Sequence, residues 1–262
     1  MAPSIITLTT DFGTGSPYVA QIKAVVLRID PQAVLVDITH QVPPQDVRQG
    51  ALVLEDVAPL FPEGTTHVCV VDPGVGTSRK IVLAEIDRQY YIAPDNGVLS
   101  RVLHGASASR ALVLTREQYW LHPVSDTFHG RDIMAPVAAR LAAGAPPEDF
   151  GAPVERLEML DWPKPQADAQ LIRGVVLVVD SFGNLITNID RGLLEDWGDP
   201  ASLRVECAGH TIDGIVRAYG ERPPGMPVAL FGSSHRLEVS VVMGSAAARL
   251  QARPGDQVVV RR

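Results

Sequence analysis

Asp72 and Arg79 stand seven residues apart in VVDPGVGTSRK (Val70–Lys80), where an apolar run ends on a carboxylate and a loop of glycine and proline leads to a guanidinium. A carboxylate beside a guanidinium is a charge-assisted contact that holds the arginine fork in one orientation. The glycines are not a phosphate loop, because no Gly-Lys-Ser/Thr follows, and not a dinucleotide fingerprint, because the Gly-x-Gly is not completed. Two other stretches carry chemistry in the same half of the chain. TTDFG places Asp11 after a strand pattern, and DTFHGRD places His129 and Gly130 just before a helical one. There, free backbone N–H groups and the positive end of a helix dipole favour a hydroxide or another small anion. Further on, VVDSFGNLITN offers the carboxylate of Asp180, the aromatic surface of Phe182 and the two-sided amides of Asn184 and Asn188, while GSSHRLEVS adds Ser233 and Glu238 at what reads as a strand edge. Taken singly, each has a plainer account: a turn or cap for Asp11, a surface charge for Arg79, a structural histidine, an Asx turn at Asp180.

The elements that must position these groups read as β-α-β. Ser4–Thr9, Ala33–Ile38 and Thr66–Val71 are short apolar runs, Tyr18–Ile29 has helical spacing, and Asp46 is placed as the N-cap of a helix to about Ala58. Strands apolar on both faces that alternate with helices imply a parallel sheet covered on both sides, with ligands beyond the carboxyl ends of its strands. Ile81–Ile86 and Gln89–Ala93 read as a hairpin through Asp87-Arg88. A helix starting close to Asp132 and ending at Gly144 follows, its start set by Pro136, which is tolerated only in a first turn.

Periodicity stops in DWPKPQADAQ (Asp161–Gln170), which marks a boundary: residues 1–163 form one domain, 164–173 a linker and 174–262 a second domain. The second carries short strand patterns at Val175–Asp180, Leu203–Cys207, Val228–Phe231, Leu237–Val241 and Gln257–Val260, with one helix near Gly192–Trp197, as in a small β-barrel or sandwich. The net charge of −7, with no basic run, argues against nucleic acid as a partner. Cys69 and Cys207 match no disulfide or metal spacing, so each is expected to be a small buried residue. With no signal-peptide pattern and no long apolar span, a soluble cytoplasmic protein is expected.

In order along the chain, TTDFG, VVDPGVGTSR, YIAPDNGVLS, TFHGRD and SFGNLITNI resemble the S-adenosyl-L-methionine (SAM) hydrolases that form adenosine, also called SAM hydroxide adenosyltransferases, relatives of fluorinase and chlorinase. The resemblance implies an α/β protein: an N-terminal α/β/α domain with a mainly parallel sheet, a C-terminal β-barrel, and a homotrimer with active sites at subunit interfaces. It implies that Asp72, Arg79 and His129 handle the nucleophilic water, where the halogenases carry tyrosines at the Asp72 and His129 positions and a halide-binding serine at Gly130. Asp11 is matched to the ribose diol, Asp180 to the methionine ammonium, Asn184 to adenine and Ser233 to the methionine carboxylate. VVMGSAA departs from the usual Asn-Gly-Gly-Asn at Val242–Ser245, and Gln45 stands where fluorinase has tryptophan. The implied reaction needs no metal or organic cofactor. A non-catalytic nucleoside-binding module and a metal-dependent phosphoesterase remain as alternatives; Arg79 beside Asp72 would compete with a cation in the latter.

Overall fold

A computed structural model describes residues 4–194 and 196–262. Contacts divide the chain into Met1–Leu160 and Asp161–Arg262. The first unit runs β1 (Ile5–Thr10), α1 (Tyr18–Ile29), β2 (Val34–Thr39), α2 (Val47–Val57), β3 (Thr66–Val70), β4 (Ile81–Ile86) and β5 (Gln89–Pro94). It continues through α3 (Ser100–His104), β6 (Ser109–Leu114), α4 (Ala135–Ala142) and β7 (Gly151–Pro153). These strands form one sheet in the order β2-β1-β3-β5-β4-β6-β7. Pairing is parallel from β2 to β5 and antiparallel from β5 to β7.

Alternation along β3 explains the layering. Val68 and Val70 join Ile22, Val26, Met134 and Val137 of the α1/α4 side, whereas Cys69 and Val71 join Leu54 and Val98 of the α2/α3 side. Successive strand residues face opposite ways, so a continuous apolar run is what a sheet covered on both faces requires. Strand β2 is the exception to the expected burial. It is the sheet's edge, and Val34 is 43% exposed.

Helix α1 occupies the predicted span, and Asp46 caps α2 by accepting the Gln49 N–H at 2.9 Å. The hairpin turns through Asp87 and Arg88, both at positive φ. The start of the α4 segment is corrected: a π-helical turn, Gly130–Met134, precedes α4, and the Ala135 N–H reaches the Gly130 carbonyl. With this wider turn in front, Pro136 still falls in the first turn of the α-helix while the coil itself begins at Gly130.

The second unit comprises β8 (Gln166–Ala167), β9 (Leu171–Val179), β10 (Leu185–Asp190), β11 (Arg204–Cys207) and β12 (His210–Asp213). Then follow β13 (Ile215–Val216), β14 (Pro227–Phe231), β15 (Arg236–Val241), α5 (Ala246–Leu250) and β16 (Gln257–Arg261). Its barrel-like sheet, ordered β12-β11-β16-β9-β10-β15-β14-β13 with β8 on β9, encloses Ile172, Leu185, Val205, Leu237 and Val258. The stretch 164–173 therefore contributes to this sheet. The helix expected near Gly192–Trp197 is instead a 3-10 turn over Arg191–Leu194, and Leu185–Asp190, not among the strands expected from sequence, forms β10. Cys69 and Cys207 are buried and unpaired. Among the described residues no helix is long and apolar enough to cross a membrane.

Candidate active site

Three loops at the carboxyl ends of β1 and β3 and ahead of α4 bring the N-terminal candidates into place. Asp72 lies two residues past the end of β3, and its two oxygens accept the Arg79 Nε–H at 3.0 Å each, while Arg79 Nη2 donates to Oδ2 at 2.6 Å. The same Nη2 lies 2.7 Å from His129 Nδ1. A guanidinium has no acceptor, so Nδ1 must accept and the ring proton of neutral His129 resides on Nε2. The side chains of Asp72 and Arg79 are only 5% and 11% exposed, which puts their charges in a medium where the contact is poorly screened. Burial, and then the Arg79 charge, hold the His129 pKa below its ordinary 6.5. The group is therefore a carboxylate that orients an arginine, which in turn orients a neutral imidazole.

Local chemistry keeps this chain assembled. Thr77 Oγ1 donates to the Gly74 carbonyl and accepts the Arg79 N–H, folding the loop back on itself. Gly76 has φ +77, and a Cβ there would sit 2.5 Å from the Asp126 carbonyl oxygen, so only glycine lets the Asp72–Arg79 loop approach the His129 loop this closely. Asp132, wholly buried, accepts the Ser125 N–H at 2.9 Å and pairs with Arg131, which fixes the other side of that approach. Asn96, in the quoted YIAPDNGVLS but given no role from sequence, donates to the Val71 carbonyl at 2.9 Å and so anchors the peptide preceding Asp72. Its Asn-Gly pair signalled only a turn.

Gly130 is buried, and a Cβ on it would lie 2.9 Å from Val70 Cγ1. That direction points into the sheet packing. Asp11 is half-exposed after β1, and its Oδ2 accepts the Gln45 N–H at 2.8 Å. Phe12, Tyr18 and Phe128 pack edge to face with centroids 5.2–5.7 Å apart, joining the Asp11 loop to the His129 loop through an apolar wall.

In the second unit Asp180, Phe182, Asn184, Ser233 and Glu238 line one cavity of about 810 Å³. Asp180 Oδ1 accepts the N–H groups of Phe182 and Asn184, and Asn184 Nδ2 donates to Oδ2 at 2.9 Å. Phe182 is 77% exposed, an aromatic face presented rather than packed. Glu238 corrects the sequence reading: it is not at a strand edge but inside β15 between β10 and β14, and is 7% exposed. Its Oε2 accepts the Tyr219 hydroxyl at 2.7 Å. Burial pushes Glu238 above the usual carboxyl range, and burial together with Glu238 pushes Tyr219 to about 12. Tyr219, missed in the sequence, faces the cavity from a 3-10 turn without a recognisable pattern around it. Asn188, grouped with Asn184 from sequence, is elsewhere engaged: it accepts the Val175 N–H and donates to the Pro163 carbonyl. Ser245, in the departing VVMGSAA stretch, caps α5 through the Ala248 N–H.

Among the described residues no group of three or more His, Cys, Asp or Glu side chains is placed to share a metal ion. The donor set around Asp72 is instead cationic.

Residues 6–151 match the SAM hydroxide adenosyltransferase N-terminal domain and residues 174–259 the C-terminal domain. The chain belongs to this family. An (R)-S-adenosyl-L-methionine hydrolase of Thermus thermophilus is 41% identical over 95% of this chain and 96% of its own. One from Salinispora tropica is 40% identical over 99% of each. A fluorinase of Actinoplanes is more distant, 31% identical over 74% of each chain. The crystal structure of an uncharacterized conserved protein from Thermotoga maritima has a TM-score of 0.93 and 37% identity, covering 98% of this chain and all of that one.

Proposed function

We infer that this chain hydrolyses SAM to adenosine and L-methionine by attack of water at the ribose C5′. The observation that carries the reading is the continuous Asp72–Arg79–His129 chain, in a protein whose relatives include named SAM hydrolases at about 40% identity. A C5′–O bond forms as the C5′–S bond breaks, the sulfonium leaves as the neutral thioether of methionine, and the water's surplus proton passes to solvent. No acid is needed at the leaving group, so the side chains must act on the nucleophile. Arg79 and the Nε2–H of His129 are donors that orient the attacking oxygen and stabilise the negative charge it gathers as its proton leaves. Because Nδ1 is occupied by Arg79 and Nε2 already carries a proton, His129 serves as a donor and not as the base. Asp72 fixes Arg79 through a two-oxygen contact.

Substrate contacts follow from donor types. Asp11 retains an oxygen for the ribose hydroxyls, the Asp180 carboxylate suits the methionine ammonium, and Ser233 its carboxylate; Phe182 and Asn184 offer stacking and hydrogen bonding to adenine. Gly130 contributes backbone and space, not a side chain. The protein is a cytoplasmic homotrimer in this reading, with each site completed between subunits.

Incubation with SAM in ¹⁸O-labelled water, with and without chelator, tests the reaction by mass spectrometry. Label in the 5′-oxygen of adenosine, unaffected by chelator, is expected; label-free adenosine or unchanged SAM overturns the reading.

A further inference from the structure

The loop that carries Asp11 is fastened to the loop after β2 by contacts that converge on one histidine. The His40 carbonyl accepts the Gly13 N–H at 2.7 Å, and His40 Nδ1 lies 3.0 Å from Thr10 Oγ1. Thr10 is wholly buried and its Oγ1 already accepts the Phe12 N–H at 3.3 Å. Its hydroxyl and His40 Nδ1 share one hydrogen bond, whose donor is set by the ring tautomer. His40 Nε2 sits 3.1 Å from Asp37 Oδ1. Asp37 in turn binds the Lys23 ammonium. Burial raises the Asp37 pKa, but Lys23 and His40 outweigh it and hold the carboxyl below its ordinary value.

Two further bonds tie the same segments. The Val42 N–H donates to the Thr10 carbonyl at 3.3 Å, and the Gln45 N–H reaches Asp11 Oδ2 at 2.8 Å. Gln45 adopts φ +66, a left-handed conformation that costs a non-glycine residue about 1–2 kcal/mol. Strain of this kind persists where the surroundings enforce it, and here it aims a backbone N–H at Asp11. His40 lies between the fixed edge strand and this strained residue.

We propose that His40 is a positioning residue for substrate recognition: acting through Thr10 and its own carbonyl, it sets the Asp11 loop and with it the carboxylate offered to the ribose. The proposal rests on the reading of Asp11 as a substrate contact. Neither His40 nor Thr10 needs to touch the ligand. Thr10 has no exposed surface, and the His40 side chain is 12% exposed.

Thr10→Val removes the hydroxyl while keeping the shape, and Thr10→Ser restores it. Thr10→Val and His40→Ala are expected to raise KM for SAM about three- to tenfold, the range of one lost hydrogen bond, with kcat within about twofold. Peptide-level hydrogen exchange across residues 10–16 should speed up in both, and Thr10→Ser should return KM and exchange to the parent values. In an Asp11→Ala background, Thr10→Val should add nothing further to KM, because the group it positions is gone. A full KM effect in that background, or unchanged exchange in Thr10→Val, overturns the proposal; so does faster exchange with unchanged KM. If His40→Ala does not fold, the Thr10 pair carries the test alone. Absence of adenosine from the parent protein would overturn the substrate reading and the recognition role built on it, whereas the exchange data would still report whether Thr10 orders the loop.

Discussion

Arg79 joins the other two members of its chain, because one nitrogen, Nη2, serves both Asp72 Oδ2 and His129 Nδ1. Removing the histidine should therefore leave the Asp72–Arg79 pair intact and isolate the transition-state contribution. His129→Ala is expected to slow adenosine formation by on the order of 10²-fold or more, with SAM affinity within about threefold. Parallel loss of binding and turnover, measured by calorimetry and single-turnover kinetics, would separate His129 from the reacting atoms. Arg79→Ala differs, since it strands a nearly buried carboxylate, and should lower stability as well as rate. The pH dependence has a fixed sign. The folded pKa of His129 lies below 6.5, so the neutral ring and its contribution to stability are fully present above that value and are lost as pH falls through the folded pKa. Protonation would set a second cation against Arg79 and abolish its acceptor. A kcat/KM profile should show an acid limb below about 6.5, the ordinary histidine value, that is missing in His129→Ala; a limb of opposite sign would contradict the neutral-donor role.

Between elements, the decisive contact is the approach of two loops at Gly76. Gly76→Ala forces a left-handed conformation on alanine and a Cβ against the Asp126 carbonyl, whereas Gly64→Ala, at φ +80, meets nothing within 4 Å. The control should cost about 1 kcal/mol from backbone alone and Gly76→Ala about 2–4, the excess being the clash. Thermal melts read the difference, and turnover should fall only in Gly76→Ala. Equal destabilisation would show that the loops yield. What the sequence disclosed follows the same division between local and long-range effects. Helix α1, the Asp87-Arg88 hairpin and the Asp46 cap were legible because 3.6-residue periodicity, turn position and capping act within a few residues. The π turn was not, because Pro136 marks only where an α-helix can begin. Strand β10 was hidden by Thr187 and Asn188, polar residues whose side chains bond within the strand and across to Pro163. His40 meets Thr10 from 30 residues away and carries no local signature. The Asp72–Arg79 spacing raised the right question, yet its link to His129 across 50 residues came only with resemblance and structure.

Over the whole molecule, the candidate groups are divided: Asp11, Asp72, Arg79 and His129 belong to Met1–Leu160, and the cavity with Asp180 and Glu238 belongs to Asp161–Arg262. If each working site in the proposed trimer draws its first set from one subunit and its second from the next, defects in the two sets should complement. A homotrimer closes by a heterologous contact in which every subunit presents both surfaces, so a mixed trimer necessarily contains some interfaces assembled from two intact halves. Take Arg79→Ala chains, defective in the first set, and Asp180→Ala chains, defective in the second. After unfolding, mixing in equal amounts and refolding together, the chance that a site joins the intact first set of one variant to the intact second set of the other is about one quarter, the product of two halves. Turnover at low SAM should therefore recover to about a quarter of the parent value, although each variant refolded alone stays near its own low rate. Sedimentation of the same samples reports whether trimers formed. Trimers without recovery would assign both sets to a single chain and remove the shared site. Recovery well above a quarter would instead mean that Asp180 matters less to the cavity than its three accepted N–H bonds imply.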